Sequence, residues 1–341
     1  MGSSTAYAST PPKITSSSRE GDANYKTPSF PIGPFEKYAG NPLLVPNPKH
    51  EFESCYIYNA AAIVLDDTVF LLYRAQNVDL KSSIGLAWST DGLNFTRLDR
   101  PVLEASEPWE AGGGVEDPRV VRFDGRIYMT YTAYDLTTPR LCMATSVDLV
   151  NWEKQPPLFP DMVDVEYSAE GRVQIRKGHS KSGVIFPEKN AQGRYVMIFG
   201  DSFLYMAESE DLKQWTPAPF NSYFAAPLHA WENRLLEPGP APVKTRDGKW
   251  ILVYNAATSG AALFRNNQYS ISQMLIDYER LDNGPIARLD QPSVVVSADN
   301  ERKGLINDVV FSEGMVQFKG RWFLYYGQAD SELGVATAVA D

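Results

Sequence analysis

Cations, histidine, cysteine and long apolar runs are all scarce in this chain of 341 residues. Lys and Arg total 32 against 42 Asp and Glu, a formal charge of −10. An acidic surface repels a phosphate backbone or an anionic lipid face instead of releasing counterions to it, which argues against nucleic acid and membrane partners. Three histidines, His50, His179 and His229, stand on unrelated segments without H-x-x-x-H or C-x-x-C spacing, so no metal or other cofactor is expected. Cys55 and Cys142 cannot build a disulfide framework and read as buried thiols in strand-like runs. No window approaches the ~18 apolar residues of a membrane span. The opening stretch, MGSSTAYASTPPKITSSSREGDANYKT, has no apolar h-region, which points to a cytoplasmic protein whose residues 1–34 form a flexible tail. A G-x-S-x-G elbow and a phosphate loop are missing too, which removes a serine nucleophile and a P-loop from consideration.

Aromatic residues are abundant instead, at 12% of the chain, and they recur on a period. Five segments carry an apolar strand, a tight polar turn and an aromatic strand: AAIVLDDTVFLLYRA, PRVVRFDGRIYMTYTA, GVIFPEKNAQGRYVMIFGD, PAPVKTRDGKWILVYNA and DVVFSEGMVQFKGRWFLYYGQAD. A second element follows in three of them, GLAWSTDGLNF, CMATSVDLVNW and YMAESEDLKQW. There Asp91, Asp148 and Asp211 are expected to turn the chain, while Trp88, Trp152, Trp215, Trp250 and Trp322 serve the core. Five units of roughly 60 residues without helical periodicity fit an all-β fold, a single five-bladed β-propeller over residues 35–341. A two-sheet sandwich is the alternative.

In a propeller the inner strands aim their ends at one central channel, so polar residues flanking each hairpin converge. Those residues are Asn59 and Arg74; Glu116, Asp117, Arg119 and Tyr134; His179, Lys181, Glu188 and Asp201; Glu237 and Asn255; Glu313 and Asp330. Carboxylates dominate. Paired carboxylates beside aromatic faces point to glycosidic-bond cleavage, one carboxyl protonating the leaving oxygen and the other serving the nucleophile. Trp109 in EPWEAGG and Trp231 in HAWENR are candidate sugar platforms.

The segment GGGVEDPRVVRFDGRIYMTYTAYD, with YNAAAIVLDDTVFLLYRAQ, KSGVIFPEKNAQGRYVM, EPGPAPVKTRDGKWILVYNAA and DVVFSEGMV, resembles glycoside hydrolase family 130, the β-mannoside phosphorylases and mannosidases. The resemblance implies a five-bladed propeller acting on β-mannosides with inversion. It makes Asp117 the proton donor and places Asn59, Arg74 and Asp330 around the mannosyl unit. Arg119, Tyr134, Lys181, His179 and Asn255 complete the expected substrate contacts. Phosphorylases of the family typically carry His-Arg-Pro and Tyr-His-Gly where this chain reads Phe199-Gly200-Asp201 and Tyr254-Asn255-Ala256. A dianion needs converging basic groups in a carboxylate-lined pocket. Here those two cations are absent, and LLEPGPAP introduces Glu237. The expectation is therefore an inverting, exo-acting hydrolase of β-1,2-manno-oligosaccharides, with Glu237 or else Glu188 as base. A phosphorylase releasing mannose 1-phosphate and a non-catalytic sugar-binding propeller are the alternatives.

Overall fold

The tight turns of the repeated hairpins set the local geometry. Asp66 and Asp67, Asp124 and Gly125, and Lys319 and Gly320 all adopt positive φ, between 46° and 77°. Two consecutive left-handed residues make the type I′ turn whose twist matches antiparallel strands, and Asp and Gly tolerate that conformation best. These turns join Tyr56–Leu65 to Thr68–Gln76, Gly114–Phe123 to Arg126–Tyr134, and Val310–Phe318 to Arg321–Gln328.

The computed structural model describes residues 6–167, 173–219 and 222–341, and it is nearly all β. Each repeat unit is an antiparallel group. The first continues through Ser82–Ser89 and Thr96–Leu98, and the second through Pro139–Ser146 and Glu153–Lys154. The third holds Val184–Ile185, Tyr195–Phe199, Tyr205–Ser209 and Thr216–Pro217; the fourth is built on Leu235–Pro238, Trp250–Ala257 and Tyr269–Ile276. In the fifth, Glu332–Val339 pairs with Glu36–Lys37, a strand from near the start of the chain. Five buried apolar clusters lie between neighbouring groups: first with second, second with third, third with fourth, fourth with fifth, and fifth with first. Trp215, Trp250 and Trp322 are buried there, and Trp88 and Trp152 pack against the first cluster. No described helix is long and apolar enough to cross a membrane.

The described part of the N-terminal stretch, from residue 6, is packed, which corrects the expected flexible tail. Ala6–Ala8 runs parallel to Thr96–Leu98, Tyr7 stacks on His50 at 4.0 Å, and Ile14 and Ile32 enter the core. Its low overall hydrophobicity hides a few well-spaced anchors. Residues 1–5 lie outside the described part.

Asp91, Asp148 and Asp211 accept backbone N–H bonds from the residues two and three positions ahead, the turn role their repetition implied. Four units also share a buried device. Glu53, Glu110, Glu232 and Glu301 are wholly buried in short helical turns. They accept hydroxyl bonds from Tyr73, Tyr131, Tyr254 and Tyr326, each on its unit's second long strand. A cation completes every set: Arg97, Lys154, Arg288 and Lys37 respectively. Trp109 and Trp231 directly precede two of these glutamates and pack against the core, and neither lines the cavity that gathers the expected site residues.

Candidate active site

Backbone irregularities aim the central side chains. The first inner strand bulges between Tyr58 and Ala60, the second between Glu116 and Arg119, and the fifth between Ser312 and Gly314. Asn59 (φ 46°) is extruded from the first ladder, and Asp117 (φ 54°) together with Pro118 from the second. A bulge frees one residue from alternation and turns it to a new direction, and Asn and Asp accept the left-handed backbone at least cost. Both side chains meet, Asn59 Nδ2 donating to Asp117 Oδ1 at 3.0 Å.

A cavity of about 380 Å³ opens there, lined by Asn59, Arg74, Asp117, Lys181, Glu237 and Asp330 among others. Six of the eleven expected site residues therefore share one pocket. Clefts of about 480 and 430 Å³ elsewhere contain none of them. Arg74 donates from Nη1 to Asp117 at 3.0 Å and from Nη2 to Glu116 at 2.7 Å, with its guanidinium over the Tyr58 ring. Lys181 Nζ stands between two carboxylates, 4.0 Å from Asp117 Oδ2 and 3.4 Å from Glu237 Oε1. Ser182 Oγ donates to Glu237.

The carboxyls titrate apart. Burial raises Asp117, but Arg74, Lys181 and the Asn59 hydrogen bond outweigh it and hold the group at about 2. Burial pushes Glu237 up against the pull of Lys181 and Arg119. Asp330 is raised to about 7, again by burial, with Arg74 opposing. Divergent carboxyls in one pocket are the usual mark of acid and base chemistry.

Arg119 is a clamp, not a pocket residue. It is buried, donates to the carbonyls of Asp117, Pro238 and Gly239, and lies 3.3 Å from Glu313, so it ties the Asp117 bulge to the Glu237 strand. Glu188 is excluded from the pocket: half exposed on the third hairpin, it pairs with Lys244 at 2.6 Å. Its FPEKN segment lies in the turn between Val184–Ile185 and Tyr195–Phe199 and does not reach the pocket. Tyr134 and Asn255 do not line the pocket either; Asn255 exchanges hydrogen bonds with the Ser312 backbone and joins the fourth and fifth groups. His179 sits behind Lys181, 3.2 Å from Asp201. Arg234, Asn267, Tyr269 and Phe311 line the cavity as well, outside the expected site residues. Tyr269 opens the third strand of its unit, whereas only the ends of the first hairpins had been expected to converge.

A pocket of divergent carboxylates suits carbohydrate chemistry, and the family follows from comparison with known proteins. A family model described as beta-1,4-mannooligosaccharide phosphorylase, for glycoside hydrolase family 130, matches residues 26–341. The chain belongs to glycoside hydrolase family 130. A 1,2-beta-oligomannan phosphorylase from Thermoanaerobacter sp. (strain X514) is 33% identical over 315 residues, 88% of this chain and 96% of the relative. A beta-1,2-mannobiose phosphorylase from the same organism is 32% identical, covering 88% and 95%. A solved structure described as "The GH130 family of mannoside phosphorylases contains glycoside hydrolases that target beta-1,2 mannosidic linkages in Candida mannan" superposes with a TM-score of 0.81 at 32% identity, covering 93% and 99%.

Proposed function

We propose that this enzyme cleaves β-linked mannosides, β-1,2-manno-oligosaccharides first among them, by exo-acting attack of water with inversion. The five groups would be the blades of a propeller, a reading supported by their cyclic order of packing and the shared terminal sheet. The observation that carries the function is Glu237: a buried carboxylate across one ammonium from Asp117. The two carboxylate oxygens beside Lys181 are separated by no more than the sum of those distances, so an inverting site, which needs roughly 6.5–9.5 Å for its water, requires a nearly straight arrangement about Nζ. In the proposed step Glu237 takes a proton from water as its oxygen bonds to the anomeric carbon. The glycosidic C–O bond breaks, and the leaving oxygen receives the proton that Asp117 supplies. Asn59, Arg74 and Asp330 hold the mannosyl hydroxyls. With Asp117 held at about 2 by Arg74, Lys181 and Asn59, donation requires the bound sugar to draw Arg74 or Lys181 away, or to relay the proton through a hydroxyl.

Phosphorolysis is the second reading. The named curated relatives are phosphorylases, and on their names alone it stands ahead of hydrolysis. Against it, Arg74 and Lys181 in the pocket already face carboxylates. Incubation of β-1,2-mannobiose with and without phosphate decides: free mannose in both buffers supports hydrolysis, and mannose 1-phosphate as main product overturns it.

A further inference from the structure

The pocket is not uniform in charge. Its floor is enclosed: Asn59, Asp117 and Glu237 are 3–5% exposed, and the two cations beside them, Arg74 and Lys181, both face carboxylates. The rim is different. Asn267 is exposed, Ile306 is 47% exposed, and Arg234 and Tyr269 are half-buried. Arg234 directly precedes the strand Leu235–Pro238 that carries Glu237, and Asn267, in the left-handed region at φ 64°, stands two residues before Tyr269–Ile276.

Arg234 is the cation of this cavity wall that forms no ion pair among the described residues. Its Nη1 donates to Asn267 Oδ1 at 2.7 Å, and its Nε is enclosed without an acceptor. The cations that pull most on Glu237 are Lys181 and Arg119, and those on Asp330 are Arg74 and Lys181, so the charge of Arg234 is not spent on the pocket's own carboxyls. On a chain of formal charge −10, a half-buried guanidinium without a counter-charge carries a desolvation cost that an oxyanion from a ligand would offset. One guanidinium matches one negative charge through paired N–H donors, whereas a phosphate dianion needs further cations. The neighbours suit such a guest. Burial, with Glu237 next to it, pushes the titration of Tyr269 far up, so its hydroxyl remains a donor. The Tyr269 ring lies 6.1 Å from that of Phe311, and this apolar wall lowers the local dielectric around a charge pair.

We propose that Arg234, with Asn267 and the Tyr269 hydroxyl, is a specificity-determining site for a singly charged oxyanion, a carboxylate or a phosphodiester, carried by the part of the substrate beyond the mannosyl unit that is cleaved. An exo-acting enzyme seats the terminal mannosyl unit on the floor and leaves the remainder of the substrate at the rim, where Arg234 stands. This rests on the reading that a β-mannoside is the substrate and deepens it by naming the charge class of the leaving group. It holds whether water or phosphate attacks.

The test compares three substrates at one ionic strength: neutral β-1,2-mannobiose, its analogue with a uronate as the leaving sugar, and its analogue with a methyl phosphodiester on the leaving sugar. For the parent, kcat/KM is expected to favour at least one charged substrate over the neutral one by about ten-fold, and the substrate so favoured tells carboxylate from phosphodiester. Each chain serves as its own control through that ratio. In Arg234→Gln the ratio should fall to about one, while Arg234→Lys, which keeps the charge, should retain several-fold. Should Arg234→Gln not fold, Asn267→Asp supplies an internal carboxylate to Arg234 and should erase the preference in the same way. Titration calorimetry with the same three compounds reads the ratio for a folded variant without turnover. Neutral mannobiose handled by the parent as well as both charged substrates overturns the proposal alone, as does a preference that survives in both Arg234→Gln and Asn267→Asp. If none of the three is cleaved or bound, with phosphate or without, the mannoside reading falls and takes the proposal with it.

Discussion

Four of the repeat units and the third treat one strand position differently. Tyr73, Tyr131, Tyr254 and Tyr326 each send a hydroxyl to a buried glutamate that also binds a cation. The third unit has Phe199 at that position, stacked on Phe159 at 4.5 Å. Of the charges nearby, Lys181 lines the pocket, while Arg176 and His179 face Asp201. A buried glutamate with two or more donors is a closed electrostatic unit, and such units hold loops against sheets. The third unit thus sends one cation, Lys181, to the pocket, while the four closed units hold loops against their sheets.

That contrast is broken most severely on the chemical side. Asp117→Asn keeps size and polarity but offers no titratable proton, and should lower turnover of mannobiose by about 10³-fold with the melting temperature little changed. Glu237→Gln should cost about 10²-fold, with azide restoring part of the rate by attacking without a base. Steady-state kinetics and thermal melts on the same samples check both. Comparable activity in Asp117→Asn would refute the proposed donor.

On the frame side the order of effects reverses. Glu53→Gln leaves Arg97 buried without its counter-charge, since the two stand 3.1 Å apart and almost fully enclosed. It should cost about 3 kcal/mol in denaturant unfolding while the folded fraction keeps its turnover within a few-fold. Tyr254→Phe removes one hydroxyl donor to Glu232 and should cost about 1 kcal/mol. Between these falls Asp330, which belongs to the pocket yet acts on stability. Its carboxyl is raised to about 7 in the folded protein, so the native state holds a proton that the unfolded chain releases near pH 4. Stability from this group is therefore highest at low pH and is lost as pH rises toward 7. Asp330→Asn should raise the melting temperature by about 2 °C or more at pH 8, and by much less at pH 4, while weakening substrate binding. An equal gain at both pH values would show that burial of the charge is not the cause.

Much of the frame was legible in the chain because it is local. Type I′ turns at Asp66, Asp124 and Gly320 are written in their own residues, as are the Asp91, Asp148 and Asp211 turns, and the repeat period follows from them. The glutamates of the closed units were less visible. Glu110 and Glu232 share a preceding Trp, but Glu53 and Glu301 sit in dissimilar segments, and only the partner tyrosines repeat in all four units.

In the site, residue identity went only part of the way. Asp117, Asn59, Arg74 and Glu237 could be nominated from the segments flanking each hairpin, but Glu188 has the same credentials in sequence and ends half exposed against Lys244. Arg119 resembled a substrate contact and became the buried clamp between two strands. The sequence by itself determined which stretches are strands and where they turn, because hairpin conformation depends on residues within a few positions of one another. Tertiary structure alone decided which charges face each other, since Asn59, Asp117, Lys181, Glu237 and Asp330 come from five separate units and meet only when every sheet has packed on its neighbours. A carboxylate takes its acidity from those neighbours, and they are fixed by packing across the whole chain.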